Sequence, residues 1–116
     1  MNTTILFPPT EPAGLSTIGG QPMLLLRPHI VCNDGLTFSM QASRFHYCTP
    51  RVDNAETYTE VEIGLPSRRV DLWMPYIDTM NEDTDPTRAS YAYVPTHLVV
   101  EAIEQAGGLS HLEPIR

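Results

Sequence analysis

The sequence predicts an α+β domain in which a small antiparallel β-sheet of about four to five strands is packed by one C-terminal helix, behind an irregular Pro-rich N-terminal arm. Three observations carry that prediction. Leu36, Phe38 and Met40 alternate with Thr37, Ser39 and Gln41, and Val61, Ile63 and Leu65 alternate with Glu60 and Glu62, the period-two pattern of strands with one buried face. Asn33-Asp34-Gly35 is a hairpin signal, because these residues tolerate the positive φ that a tight turn demands. Leu98, Val99, Ala102, Ile103 and Ala106 follow Pro95 at helical spacing, and Gly107-Gly108 supplies the stop.

Taken in order, Met1 to Gln21 holds Pro8, Pro9, Pro12, Gly14, Gly19 and Gly20, which favours irregular chain over a regular element. Met23 to Leu26 reads as an edge strand or bulge, stopped by Pro28 and leading into a strand over His29 to Cys32. The boundaries drawn are therefore an arm over 1–28 and a single domain over 29–116. After the Leu36 strand, a bulge near Ala42-Ser43 is expected to bury Phe45 and Tyr47 and to turn His46 onto the polar face with Ser39 and Gln41. Tyr58 to Leu65 is the next strand, ended by Pro66. Val70 to Trp73 allows a short helix, Asp78 to Asp85 is an acidic loop, and Ala89 to Val94 is a strand with Tyr91 and Tyr93 on one face.

Composition narrows the function. A chain of 116 residues, 41% hydrophobic and 18% charged, supports one modest core. A net charge of −7 and a pI near 4.8 argue against direct nucleic-acid binding, which calls for a basic face. All 7 basic residues are arginines, and guanidinium suits bidentate capture of carboxylate or phosphate. No segment reaches the roughly 18 apolar residues of a membrane span. The N-terminus has no basic residue ahead of a long apolar run. A cytoplasmic protein is expected.

The polar groups crowd between Val31 and Pro66, and a sheet built for stability alone carries fewer of them, since each buried donor or acceptor needs a partner. Gln41, Ser43, Arg44, His46, Tyr47 and Arg51, with Tyr91 and Tyr93 on the neighbouring strand, are the candidate ligand-binding residues. Arginines hold phosphate or carboxylate, and tyrosines offer a flat face to a base. No cofactor and no metal site is expected: Cys32, His29, His46 and Cys48 are ligand types without the close Cys pairs of structural zinc sites. Cys48 with His46 is a weak nucleophile pair lacking an orienting third group, so no catalytic residue is assigned. The acidic loop lacks the glycine and terminal glutamate of an EF-hand.

Several motifs resemble a group of small uncharacterised proteins of tailed phages and prophages. They are Cys32-x-Asp34-Gly35, then Ser39-x-Gln41-Ala42-Ser43-x-x-His46-Tyr47-Cys48-x-Pro50-Arg51, then Tyr58-Thr59-x-Val61-Glu62-x-Gly64-x-Pro66-Ser67, and Tyr91-x-Tyr93-Val94-Pro95 before the helix. The resemblance covers about Val31 to Leu109 and departs at Leu72-Trp73-Met74-Pro75. It implies a non-catalytic binding protein in the cytoplasm of the bacterial host that counters host defence. The leading expectation is sequestration of a small anionic, nucleotide-like immune signal. The alternatives are an anti-CRISPR-like inhibitor that docks on a host defence or replication protein through the acidic face, Trp73 or the arm, and a small signal-degrading enzyme. A nucleotide-sized pocket in so small a domain needs two subunits, so a homodimer or higher homo-oligomer is expected.

Overall fold

The alternating segments do lie side by side, and antiparallel throughout. The computed structural model describes residues 14–18, 21–25, 27–53, 55–78 and 84–113. Within the arm, β1 (Gly14–Ile18) and β2 (Gln21–Leu25) pair as a separate two-stranded sheet, where irregular chain was expected. Pro22 sits opposite Thr17 in that ribbon, and among the described residues no third strand joins it, which leaves an edge of the kind that tolerates proline. The remaining positions of 1–26 lie outside the described residues.

The main sheet contains β3 (His29–Cys32), β4 (Thr37–Gln41), β5 (Glu60–Gly64), β6 (Ile77–Asp78), β7 (Ser90–Pro95) and β8 (Leu109–Glu113). Their spatial order is β6-β7-β5-β4-β3-β8, so the sheet has six strands and not four to five. The two additional strands are the edges. β6 is two residues long, too short for a period, and every residue of β8 is exposed, so it carries no alternation of buried and polar positions.

One face of the sheet buries Ile30, Phe38, Met40, Val61, Ile63, Tyr91 and Val94. Against it packs α1 (Thr96–Gln105), which presents Val99 and Ala102 and, just past its end, Ala106. A 3-10 helix over Asp71–Tyr76 completes the cover. It inserts Trp73, fully buried, whose indole N–H donates to Leu98 O at 3.2 Å and whose ring meets Phe38 edge-on at 4.8 Å. Trp73 is thus a core residue and offers nothing to a docking partner, against the expectation drawn from its sequence position. Leu65 departs as well. It follows the last residue of β5 at φ 50 and is 55% exposed, so it turns away from the face that Val61 and Ile63 share.

The turn from β3 to β4 also holds the end of α1. Gly107 and Gly108 both take positive φ, and Gly108 N donates to Ile103 O at 2.9 Å while Gly107 N donates to Glu104 O at 3.1 Å, the paired bonds of a Schellman stop. Asn33 Nδ2 then donates to Gly107 O at 2.7 Å, and Asn33 N to Gly108 O at 2.9 Å. Asp34 Oδ1 accepts from Leu36 N at 3.0 Å, so the hairpin residues read from sequence fix both the turn and the helix terminus.

Candidate functional site

The chain leaves β4 at Gln41 and crosses a hydrogen-bonded loop before β5, and the polar block divides there into an inner and an outer set. The inner set holds the loop. Gln41 is buried, accepts from Arg27 N at 2.8 Å and donates to Arg27 O at 3.0 Å, which pins the segment entering β3. Ser43, fully buried, accepts from Phe45 N at 3.0 Å and shares a hydrogen bond of 2.7 Å with His46 Nδ1. Burial holds the His46 pKa below the usual range, with the Glu62 carboxylate opposing and Arg27 and Arg51 reinforcing the effect. Tyr58 closes the far side of the loop, donating to Val52 O at 2.7 Å and accepting from Ala55 N at 3.1 Å.

The expected bulge is replaced by a turn, in which His46 N donates to Ser43 O at 3.2 Å. Its consequence is the reverse of the expected burial. His46 is buried at 7% exposure, whereas Phe45 and Tyr47 are exposed at 45% and 40%. Strand alternation does not extend into a turn.

Cys48 is buried, with Sγ 3.2 Å from Ser43 O and 3.3 Å from Pro50 O, and burial raises its pKa. Its thiol is therefore held protonated, and His46 Nδ1 is occupied by Ser43, so the pair lacks the geometry of an activated nucleophile. Both cysteines are free, and among the described residues no three His, Cys, Asp or Glu side chains converge as a metal site. No helix among the described residues is long and apolar enough to cross a membrane. In the acidic loop, Asp85 caps the 3-10 turn Pro86–Arg88 by accepting from Thr87 N at 2.9 Å; Glu82 and Asp83 lie outside the described residues.

The outer set is Arg44, Phe45, Tyr47, Arg51 and Tyr93. Tyr47 and Tyr93 rings lie 5.8 Å apart at 33°, and the Arg51 guanidinium sits over Tyr47 at 5.1 Å from its centroid. The arrangement is held from the backbone, since Tyr93 N donates to Tyr47 O at 3.1 Å and Tyr47 N to Glu62 Oε1 at 3.2 Å. Nearby in the same loop, Arg44 lies over Phe45 at 4.9 Å and pairs with Asp53 at 3.4 Å.

Tyr93 reaches this surface because of a bulge. Val61 faces Val94 and Ile63 faces Tyr91, so β7 carries one residue more than β5 across the same interval, and Tyr93 adopts φ 54. A left-handed tyrosine costs about 1–2 kcal/mol. The bulge also separates the two tyrosines expected on one face. Tyr91 is fully buried, donating to Pro86 O at 2.6 Å, whereas Tyr93 is 40% exposed. Tyr91 presents no surface to a ligand.

No protein-family model matches this chain, and no curated protein or solved structure shows a significant similarity to it. Of the exposed arginines described, Arg44, Arg68, Arg69 and Arg88 each pair with an aspartate, while Arg51 has no ion pair with any described carboxylate. In a chain of net charge −7 that is a guanidinium without a described carboxylate partner, 5.1 Å from the centroid of an aromatic ring. A groove of about 330 Å³ lies elsewhere, between Leu36, Arg68, Val70, Leu72 and Ala102, and holds none of the candidate residues.

The buried His46 gives the site a pH dependence. Its folded pKa is depressed, so the unfolded chain binds the proton more readily, and stability present above about pH 6.5 declines as pH falls through that value. Asp34 and Asp85, whose pKa values are also lowered, add losses only below about pH 4. Thermal melts between about pH 7.5 and 5.5 are expected to show a falling midpoint that His46→Gln flattens. An unchanged slope in the variant would assign the effect to other groups.

Proposed function

We propose that this chain is a non-catalytic binding protein that recognises a partner through the outer set, with Arg51 meeting an acidic group and Tyr47, Tyr93 and Phe45 supplying flat contact area. The observation that carries this reading is Arg51, without an ion pair to any described carboxylate, over the Tyr47 ring that neighbours Tyr93. Exposed Tyr and Arg are the residue types that dominate binding energy at protein interfaces. The strain held at Tyr93 supports the same surface, because a left-handed tyrosine contributes nothing to the stability of the sheet. The motif resemblance to small phage proteins supports a setting in the cytoplasm of a bacterial host, where the partner is a protein of host defence.

This reorders the sequence-based expectation. Small-molecule sites are concave and enclose most of their ligand, whereas the outer set lies on a single exposed loop and strand. Docking on a protein therefore comes ahead of sequestering a nucleotide. One observation favours the nucleotide reading as a second: a tyrosine face beside a guanidinium suits a base and its phosphate, provided another subunit closes over them.

The test is capture from a bacterial lysate with the wild-type protein and with Tyr47→Ala as paired baits, followed by reconstitution with the purified partner. A partner that binds the wild type and not the folded variant supports the reading. Equal binding by both overturns it. Native mass spectrometry with cyclic nucleotides addresses the second reading, which requires an intact nucleotide bound to a dimer.

A further inference from the structure

We infer that the outer edge of β8 pairs antiparallel with β8 of a second copy of the chain, about a two-fold axis through Leu112. The inference is independent of the recognition surface. β8 closes the six-stranded sheet on one side, and among the described residues no strand pairs with its far edge. An exposed edge offers a row of backbone N–H and C=O groups to another strand, and proteins usually blunt such edges with charge, proline or short length. Here the edge is five residues long, and Leu109 and Leu112 are exposed at 51% and 39%.

The occupant follows from the order of side chains. Pairing centred on Leu112 sets it against the partner's Leu112 on the side of the sheet that faces the core, because Leu112 stands opposite Ile30. The same register brings His111 opposite the partner subunit's Glu113, and Glu113 opposite the partner subunit's His111, on the other face. His111 Nε2 already lies 3.5 Å from Glu113 Oε1 of its own strand. Centring on His111 instead would oppose two imidazoles and set Leu109 against a carboxylate. The Leu112 register therefore pairs apolar with apolar once, on the axis, and base with acid twice by symmetry, within His111 to Glu113 of each strand.

Such a dimer extends the sheet and leaves both recognition surfaces outward. Tyr93 lies on β7, with β5, β4 and β3 between it and β8. At the usual strand spacing the two copies of Tyr93 stand roughly 40 Å apart, which makes the dimer a bivalent binder.

Sedimentation velocity of the full chain from micromolar to submillimolar concentration tests the pairing. The expected result is a reversible monomer–dimer equilibrium. His111→Glu sets acid against acid and is expected to weaken dimerisation about tenfold or more, while His111→Glu with Glu113→Lys restores the complementary pair and the dimer. All five β8 residues are exposed, so these variants leave the core intact, which circular dichroism checks. A monomer at every concentration overturns the inference, as does a dimer that neither variant alters.

Discussion

Arg51→Ala is expected to lower partner affinity by about thirtyfold or more, the loss of about 2 kcal/mol that marks an interface hot spot, while leaving the melting temperature almost unchanged. The side chain is exposed and makes no described ion pair, so its removal deprives the fold only of the contact with the Tyr47 ring at 5.1 Å. An exposed cation–π contact is worth about 0.5–1 kcal/mol. The two effects therefore separate. Arg51→Lys is the control: it keeps the charge and loses the planar fork, and is expected to recover only part of the affinity. Isothermal titration with the purified partner measures all three proteins. A folded Arg51→Ala protein with wild-type affinity would remove Arg51 from the site and, with it, the observation on which the functional reading rests.

Val61→Asp is expected to abolish folding. Val61 is fully buried on β5, which lies between β4 and β7, and it stands opposite Val94 within the core. An aspartate there buries a carboxylate without a cation to meet it. The penalty is at least about 4 kcal/mol, against a total stability of about 5–15 kcal/mol for a domain of this size. Val61→Ala, which removes volume without adding charge, is expected to cost about 2 kcal/mol and to remain folded. Far-ultraviolet circular dichroism and a two-dimensional amide spectrum distinguish the outcomes. A folded Val61→Asp protein would mean that the strand can turn this position to solvent.

What the sequence discloses depends on how far each feature rests on periodicity. The central strands and the helix were legible because Phe38 and Met40, Val61 and Ile63, and Val99, Ala102 and Ala106 repeat with the pitch of the element that carries them. The edges were not, since β6 is too short to repeat and β8 buries nothing. The sequence grouped the candidate residues but could not sort the exposed from the buried among them. Arg44, Tyr47, Arg51 and Tyr93 share the surface, whereas Gln41, Ser43 and His46 turn inward to hold the loop that carries three of those four. Two facts decide that division: the local turn closed by the Ser43–His46 hydrogen bond, and the extra residue in β7, which shows only when β7 is paired with β5. Phe45 was missed because alternation was carried one turn too far. The signal that could have exposed it is Ser43 itself, a hydroxyl residue at the end of a strand, where turns commonly begin.

The placement of β8 beside β3 bears on the order in which the ribosome delivers the chain. β3, β4, β5, β7 and α1 all emerge before β8, yet the sheet order leaves one side of β3 waiting for it. Throughout the synthesis of residues 33–108 the strand that carries Ile30 and Cys32 has a bare edge, and the Asn33 amide that will hold the helix end has no Gly107 carbonyl to reach. Nascent chains are most prone to wrong pairings while such edges stand open. Among the described strands of the main sheet, the one that leaves the ribosome last is thus the one that seals the first.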